Sequence, residues 1–103
     1  MYGVVTTVPA PVEMYDRMHA ELIKQAGTSV EGMGLLVHVG RATADGFERF
    51  EVWESKDHYD RATEMAGSLM RDLAGDLPQP STEPSAEVFE VRGLVIPRGD
   101  IVI

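Results

Sequence analysis

The sequence predicts an α+β domain with its elements in the order β-α-β-β-α-β. Three observations predict it. Two segments carry apolar residues at helical spacing, four segments are β-branched or alternate in polarity, and an Asp-Gly dipeptide lies between the second and third of those four. At 103 residues the chain accommodates one domain, residues 1–103, and no second core.

The elements follow in order. Tyr2 to Val8 is rich in Val and Thr and stops at Pro9, which reads as a strand. Pro9-Ala10-Pro11 suits helix entry, because proline is pre-set for the first helical turn. Val12, Tyr15, Met18, His19, Leu22, Ile23 and Ala26 then recur at spacings of three and four and make one stripe on a helix, with Gly27 as its C-terminal cap. Met33 to Arg41 is the second strand, Thr43-Ala44-Asp45-Gly46 a turn with the unusual backbone angles Asp-Gly supplies, and Phe47 to Glu54 the third strand. Ser55 can cap the second helix and Asp57 suits the positive end of its dipole. That helix carries Tyr59, Ala62, Ala66, Leu69, Met70, Leu73 and Leu77 at helical spacing, with Gly67 as a weak point. A proline-rich loop leads from Leu77 to Ser85. Ala86 to Ile96 is the fourth strand, and Ile101-Val102-Ile103 an apolar tail that should pack on this subunit or a partner.

Strand-helix-strand, hairpin, helix-strand is the split β-α-β, or ferredoxin-like, arrangement. Right-handed crossovers put both helices on one face of a four-stranded antiparallel sheet and leave the other uncovered. Leu35, Val37, Val39, Phe50 and Val52 are assigned to the uncovered face, against Leu36 and Trp53 on the other. An apolar sheet face needs a partner, so a homodimer closing the two sheets into an α/β barrel is expected.

Composition narrows the function classes. With 17 acidic and 9 basic residues and no Lys/Arg cluster, the formal charge is −8, which disfavours nucleic acid and anionic membranes as partners. The absence of cysteine removes disulfides, thiolate metal sites and a cysteine nucleophile together. No apolar run approaches the roughly 20 residues that span a bilayer, and Met1 to Val5 has no basic start or cleavage signal. A cytoplasmic location is therefore expected. His19, His38 and His58 have no metal-ligand spacing, so no metal is expected. Gly32-Met33-Gly34 precedes a strand rather than a helix and is no dinucleotide loop.

Counting outward from Ala44-Asp45 pairs His38 with Glu51, Leu36 with Trp53 and Gly40 with Arg49, all on one sheet face. A histidine oriented by a carboxylate beside a tryptophan can serve as a general base; equally, the two form a cross-strand polar pair that satisfies itself. Trp53 either shapes a ligand cavity or fills core. Tyr15 and His19, four apart on the first helix, either line the same cavity or edge its apolar stripe. His58 and Tyr59 open the second helix, with His58 facing solvent. Met14, Met18, Met65 and Met70 read as adaptable packing. Glu87, Glu90 and Arg92 read as rim charges.

Gly34-Leu35-Leu36-Val37-His38-Val39-Gly40-Arg41, the turn Asp45-Gly46-Phe47, and Val52-Trp53-Glu54-Ser55-Lys56 together resemble the antibiotic biosynthesis monooxygenase-like proteins of the dimeric α/β-barrel superfamily. The resemblance implies a ferredoxin-like homodimer with a pocket between helices and sheet. It also implies an activity drawn from cofactor-free oxygenation of aromatic polyketides, haem degradation, or none. Trp53 matches the strand tryptophan near the pocket of oxygenase members. Haem degraders also carry a first-strand asparagine and a histidine on the second helix; here there is no asparagine, and His58 stands in that helix's first turn. The resemblance thus implies no cofactor. Two functions follow. One is an enzyme that binds a planar apolar or aromatic molecule, with His38 as base, Glu51 orienting it, and Trp53, Tyr15, His19, Leu36 and Arg49 around the substrate. The other is a non-catalytic ligand-binding or structural dimer sharing only the fold.

Overall fold

A computed structural model describes residues 1–26, 33–73 and 82–95. Six elements are present: β1 (Tyr2–Val8), α1 (Val12–Ala26), β2 (Leu35–Ala42), β3 (Phe47–Trp53), α2 (Lys56–Leu73) and β4 (Ser85–Glu90). The strands form one sheet in the order β2-β3-β1-β4, antiparallel at every junction. The expected β-α-β-β-α-β order holds. No described helix is long and apolar enough to cross a membrane.

Local chemistry sets the element ends. Before α1, the Met14 amide donates to the Pro11 carbonyl at 2.9 Å, and Glu13 and Lys24 complement the two ends of the helix dipole. Ser55 caps α2 by accepting the His58 amide at its Oγ, 3.3 Å away. Ser55→Ala should lower stability by about 1 kcal/mol, the usual worth of such a cap, read as a lower melting temperature with α2 otherwise intact.

Register assigns the faces. Tyr2, Val4, Thr6 and Val8 of β1 stand opposite Trp53, Glu51, Arg49 and Phe47 of β3, and these eight point to one side. Both helices lie there. Met14 of α1 is buried with Val8, Ala10 and Phe47, and Tyr59 of α2 meets Tyr2 and the edge of Trp53. The other side carries Val5, Val37, Val39, Phe50, Val52 and Phe89, with Phe50 stacked on Phe89 at 5.4 Å. Val39 and Phe50 there are 54% and 41% exposed. Toward the hairpin this side turns polar, where Glu48 pairs with Arg41 at 2.8 Å and accepts from Thr7 at 3.3 Å.

Several boundaries differ from expectation. Strand β2 begins at Leu35 rather than Met33, and a bulge between Leu35 and Val37 puts Leu35 opposite Trp53. Leu36 therefore has no register partner in β3, and Leu35 leaves the uncovered face assigned to it. An extra residue in one strand flips everything beyond it to the other side. Strand β4 ends at Glu90 instead of running to Ile96, because its partner β1 begins at Tyr2, opposite Glu90, and pairing has nothing further to join. The turn is tight, with Thr43 and Gly46 exchanging both backbone hydrogen bonds at 2.8 and 3.4 Å. It uses no positive backbone angle, since Gly34 is the one described residue with φ in that region. Glycine is needed at position 46 for space instead, because a Cβ there would overlap the Val8 carbonyl and the backbone of Ala10. Met65 is exposed rather than packed. Gly27, Leu77, the proline-rich stretch at 78–80, Ile96 and the 101–103 tail lie outside the described residues.

Candidate functional site

Three elements meet over the β2–β3 ladder. The hairpin register puts His38 opposite Glu51 and Gly40 opposite Arg49, as the sequence count gave. Helix α1 crosses above and lowers Tyr15 onto this pair. The His38 Nδ1 lies 2.8 Å from Glu51 Oε2, and its Nε2 lies 2.7 Å from the Tyr15 hydroxyl. A carboxylate can only accept, so Nδ1 carries the proton to Glu51, and Nε2 then accepts the phenol O–H of Tyr15 in the neutral imidazole. On its other side the Tyr15 hydroxyl is 3.4 Å from His19 Nδ1. Tyr15, His19 and His38 stack nearly parallel, with interplanar angles of 16°, 4° and 12° and centroids 5.3 to 5.8 Å apart.

Burial tunes these groups. Glu51 is 7% exposed, and beyond His38 its nearest charge is Arg49, whose Nε lies 4.0 Å from Oε1. Burial, then the charges of Glu51 and Asp16, hold the Tyr15 phenol above its ordinary range against a smaller opposing pull from Arg49. Tyr15 is therefore a neutral donor at neutral pH. Burial, reinforced by His38, holds His19 below the usual histidine range despite Asp16. His19 is therefore neutral at pH 7 and has an open lone pair or an N–H to offer.

The arrangement differs from the expected one in one chemical respect. Both ring nitrogens of His38 are engaged, so its reach to any bound molecule runs through Tyr15. The resulting order is Glu51, His38, Tyr15: a carboxylate orients an imidazole, which draws the proton of a hydroxyl. That is the logic of a nucleophile-base-orienter triad with a phenol in front.

Near this chain three buried polar atoms have no hydrogen-bond partner among the described residues: Thr6 Oγ1, Arg49 Nε and Trp53 Nε1. Thr6 and Trp53 are 6% and 4% exposed. All three belong to the helix-covered face, with Thr6 directly opposite Arg49. Buried polar atoms are satisfied in the great majority of cases, so three such atoms on one face set it apart from the rest of the described interior.

Of the residues singled out in the sequence, His38, Glu51, Tyr15, His19, Arg49 and Trp53 share this face. Leu36 sits in the bulge and is not aligned with them. His58 is not the solvent-facing residue expected: it is half-buried, its Nδ1 2.6 Å from Ser55 Oγ and its Nε2 3.5 Å from Glu54, with its ring against Gly34. It belongs to the cap of α2. Sequence reasoning missed Thr6 altogether, and it placed Gly40 on this face without its role. Thr6 is found only by extending the register one strand further. Gly40 lies under the Tyr15 ring, where a Cβ would overlap the phenol. Its signal was available, since a glycine inside a strand often marks the close approach of another group. A separate open cleft of about 420 Å³ at the hairpin end, bordered by Thr7, Asp45, Glu83 and Ser85 among others, contains none of the Tyr15 group. Among the described residues no group of three or more His, Asp or Glu is placed to hold a metal ion.

No protein-family model and no curated protein matches the chain. Solved structures do. An antibiotic biosynthesis monooxygenase matches 90% of this chain and 100% of its own at a TM-score of 0.62 and 15% identity. A monooxygenase from Streptomyces coelicolor, in complex with nanaomycin D, matches 93% of this chain and 90% of its own at 0.51 and 22% identity. The chain has the antibiotic biosynthesis monooxygenase-like fold. A haem degrader from Mycobacterium tuberculosis with two haems in its active site shares the monooxygenase-like fold with this chain at a TM-score of 0.53 and 18% identity, over 92% of this chain and 99% of its own. At these identities the likeness is one of fold. What the monooxygenase-like fold does here depends on the side chains described above.

Proposed function

We propose that this chain is a cytoplasmic homodimer whose subunits each bind a flat, largely apolar, oxygen-bearing molecule between helices and sheet, and that the Glu51–His38–Tyr15 chain removes a proton from it. The observation that carries this reading is the pair of short contacts on His38, 2.7 Å to Tyr15 and 2.8 Å to Glu51. As a proton leaves the substrate for the Tyr15 oxygen, the phenol's own proton passes to His38 Nε2, and Glu51 stabilises the imidazolium that forms. A phenol that has lost its proton is electron-rich and open to oxidation, the reaction class of the cofactor-free monooxygenases the sequence resembles. The unpartnered atoms of Thr6, Arg49 and Trp53 are suited to the oxygens of such a molecule, and the aromatic wall of Trp53 and Tyr59 to its plane. Nanaomycin D and haem in structures of the same fold are both large, flat molecules.

A second reading is favoured by one feature: Tyr15, His38 and Glu51 satisfy one another. A non-catalytic binding or structural dimer needs no more than that. One titration separates the readings. Emission from Trp53, the single tryptophan, should be quenched saturably by a naphthoquinone that bears a phenolic hydroxyl, whose O–H is the proton to be removed. Trp53→Phe, followed by competition against a labelled ligand, should weaken binding by roughly two- to tenfold, the worth of one aromatic contact. Saturable binding with proton release that Tyr15→Phe abolishes supports the enzyme. Binding without it supports the second reading, and no saturable quenching overturns ligand binding altogether.

A further inference from the structure

The Glu51–His38–Tyr15 chain lies against the buried face of the sheet, and a base that has taken up a proton must return it to water before acting again. Among the described residues, a second imidazole stands next to the Tyr15 hydroxyl. His19 lies one turn beyond Tyr15 on α1 and is half-buried, with its Nδ1 3.4 Å from the same hydroxyl that touches His38. That distance is at the long end for a hydrogen bond, and a small rotation of either ring closes it. The three rings are nearly parallel and mutually 5.3 to 5.8 Å apart, and the Tyr15 hydroxyl is the atom in reach of both imidazoles, 2.7 Å from His38 Nε2 and 3.4 Å from His19 Nδ1.

We propose that His19 is the port through which the Tyr15–His38–Glu51 chain exchanges protons with solvent. The proposal rests on the proton-abstracting reading for its purpose, but not for its test. The transfer balances. His38, protonated at Nε2, returns that proton to the Tyr15 oxygen while the phenol's own proton turns to His19 Nδ1. The His19 imidazolium then releases its Nε2 proton to water, and no charge remains behind. The charged and titratable groups that act on Tyr15 and His19 are Asp16 on α1, His38 on β2, and Arg49 and Glu51 on β3. Neutral His19 is the form that can accept, and the nearby imidazole of His38 opposes its holding a proton for long.

The test is read on the free protein, without substrate. The rate at which the His38 imidazole gains and loses its proton is measured by nitrogen relaxation dispersion of the ring at low buffer concentration. His19→Phe and Tyr15→Phe both keep a stacked ring and remove a link. Each should slow His38 exchange by about tenfold or more, the scale on which a positioned acid or base differs from none. Free imidazole in solution should restore the rate in His19→Phe. His58→Gln, in the cap of α2, should leave it unchanged. Wild-type rates in both ring variants overturn the proposal. Slowing in Tyr15→Phe alone also overturns it, since the proton then leaves from the phenol directly. If His19→Phe fails to fold, His19→Gln gives the same decision. Because no turnover is involved, a chain that proves non-catalytic can still pass this test, and an active one can fail it.

Discussion

His38→Ala should lower the melting temperature by about 12–24 °C and abolish proton abstraction together. The first effect follows from Glu51, a carboxylate 7% exposed whose remaining charged neighbour is Arg49 at 4.0 Å. Removing the partner of a buried carboxylate costs about 3 kcal/mol, and in a domain near 100 residues each kcal/mol moves the melting temperature by about 4–8 °C. Loss of proton abstraction follows because Tyr15, held above its ordinary pKa, gives up its proton only to a base at hydrogen-bond distance. Glu51→Gln separates the effects. The amide oxygen still accepts from His38 Nδ1, so stability should fall much less, while the imidazolium loses its counter-charge and turnover drops. Differential scanning calorimetry on the two variants checks this, and a shift under 3 °C in His38→Ala would show that Glu51 does not depend on the histidine.

Val37→Asp should convert a dimer to monomers. Val37 pairs with Val52 on the face that bears Val39, Phe50 and Phe89 and has no described helix over it. Exposed apolar patches of this kind mark interfaces, and here the patch ends at the polar Arg41–Glu48–Thr7 margin. An unpaired carboxylate within such an interface costs several kcal/mol, and each ~1.4 kcal/mol weakens association tenfold, so loss of the dimer at micromolar concentration is expected. Light scattering should give twice the 11.3 kDa chain mass for the parent protein and one chain mass for the variant. Thr7→Asp, at the polar margin of the same face, should remain dimeric. A parent protein that scatters as one chain would remove the proposed assembly.

How much of this was legible in the sequence varied with range. Periodicity placed β1 and α1 to the residue, and counting from the turn paired His38 with Glu51 and Gly40 with Arg49, because pairing near a tight turn is fixed by the turn itself. Further from the turn the count failed. One extra residue at the Leu36 bulge moved Leu35 into the place given to Leu36, and no residue type there announces a bulge. The end of β4 was equally hidden, since its length is set by β1 and not by its own alternation. The contact of Tyr15 with His38 spans two elements 23 residues apart and depends on how α1 lies across the sheet, which spacing along a helix does not contain. His58 was misjudged for a related reason. Ser55 engages its ring as well as its amide, and only the folded cap shows this.

Gly40 gives the fold a marker that can be read without coordinates. The phenol of Tyr15 occupies the volume that any side chain at this position would need, so even alanine would evict the ring from its place beside His38. Every single-base change of the first two letters of a glycine codon introduces a side chain or a stop. Drift at this one codon therefore has no neutral amino-acid step open to it while the tyrosine–histidine contact is in use. Chains of the same architecture should divide accordingly. Those with glycine here, tyrosine at position 15 and histidine at position 38 can assemble the tyrosine–histidine contact. Those with a larger residue in the strand have no room for the phenol at this place, and their activities should be sought in other side chains.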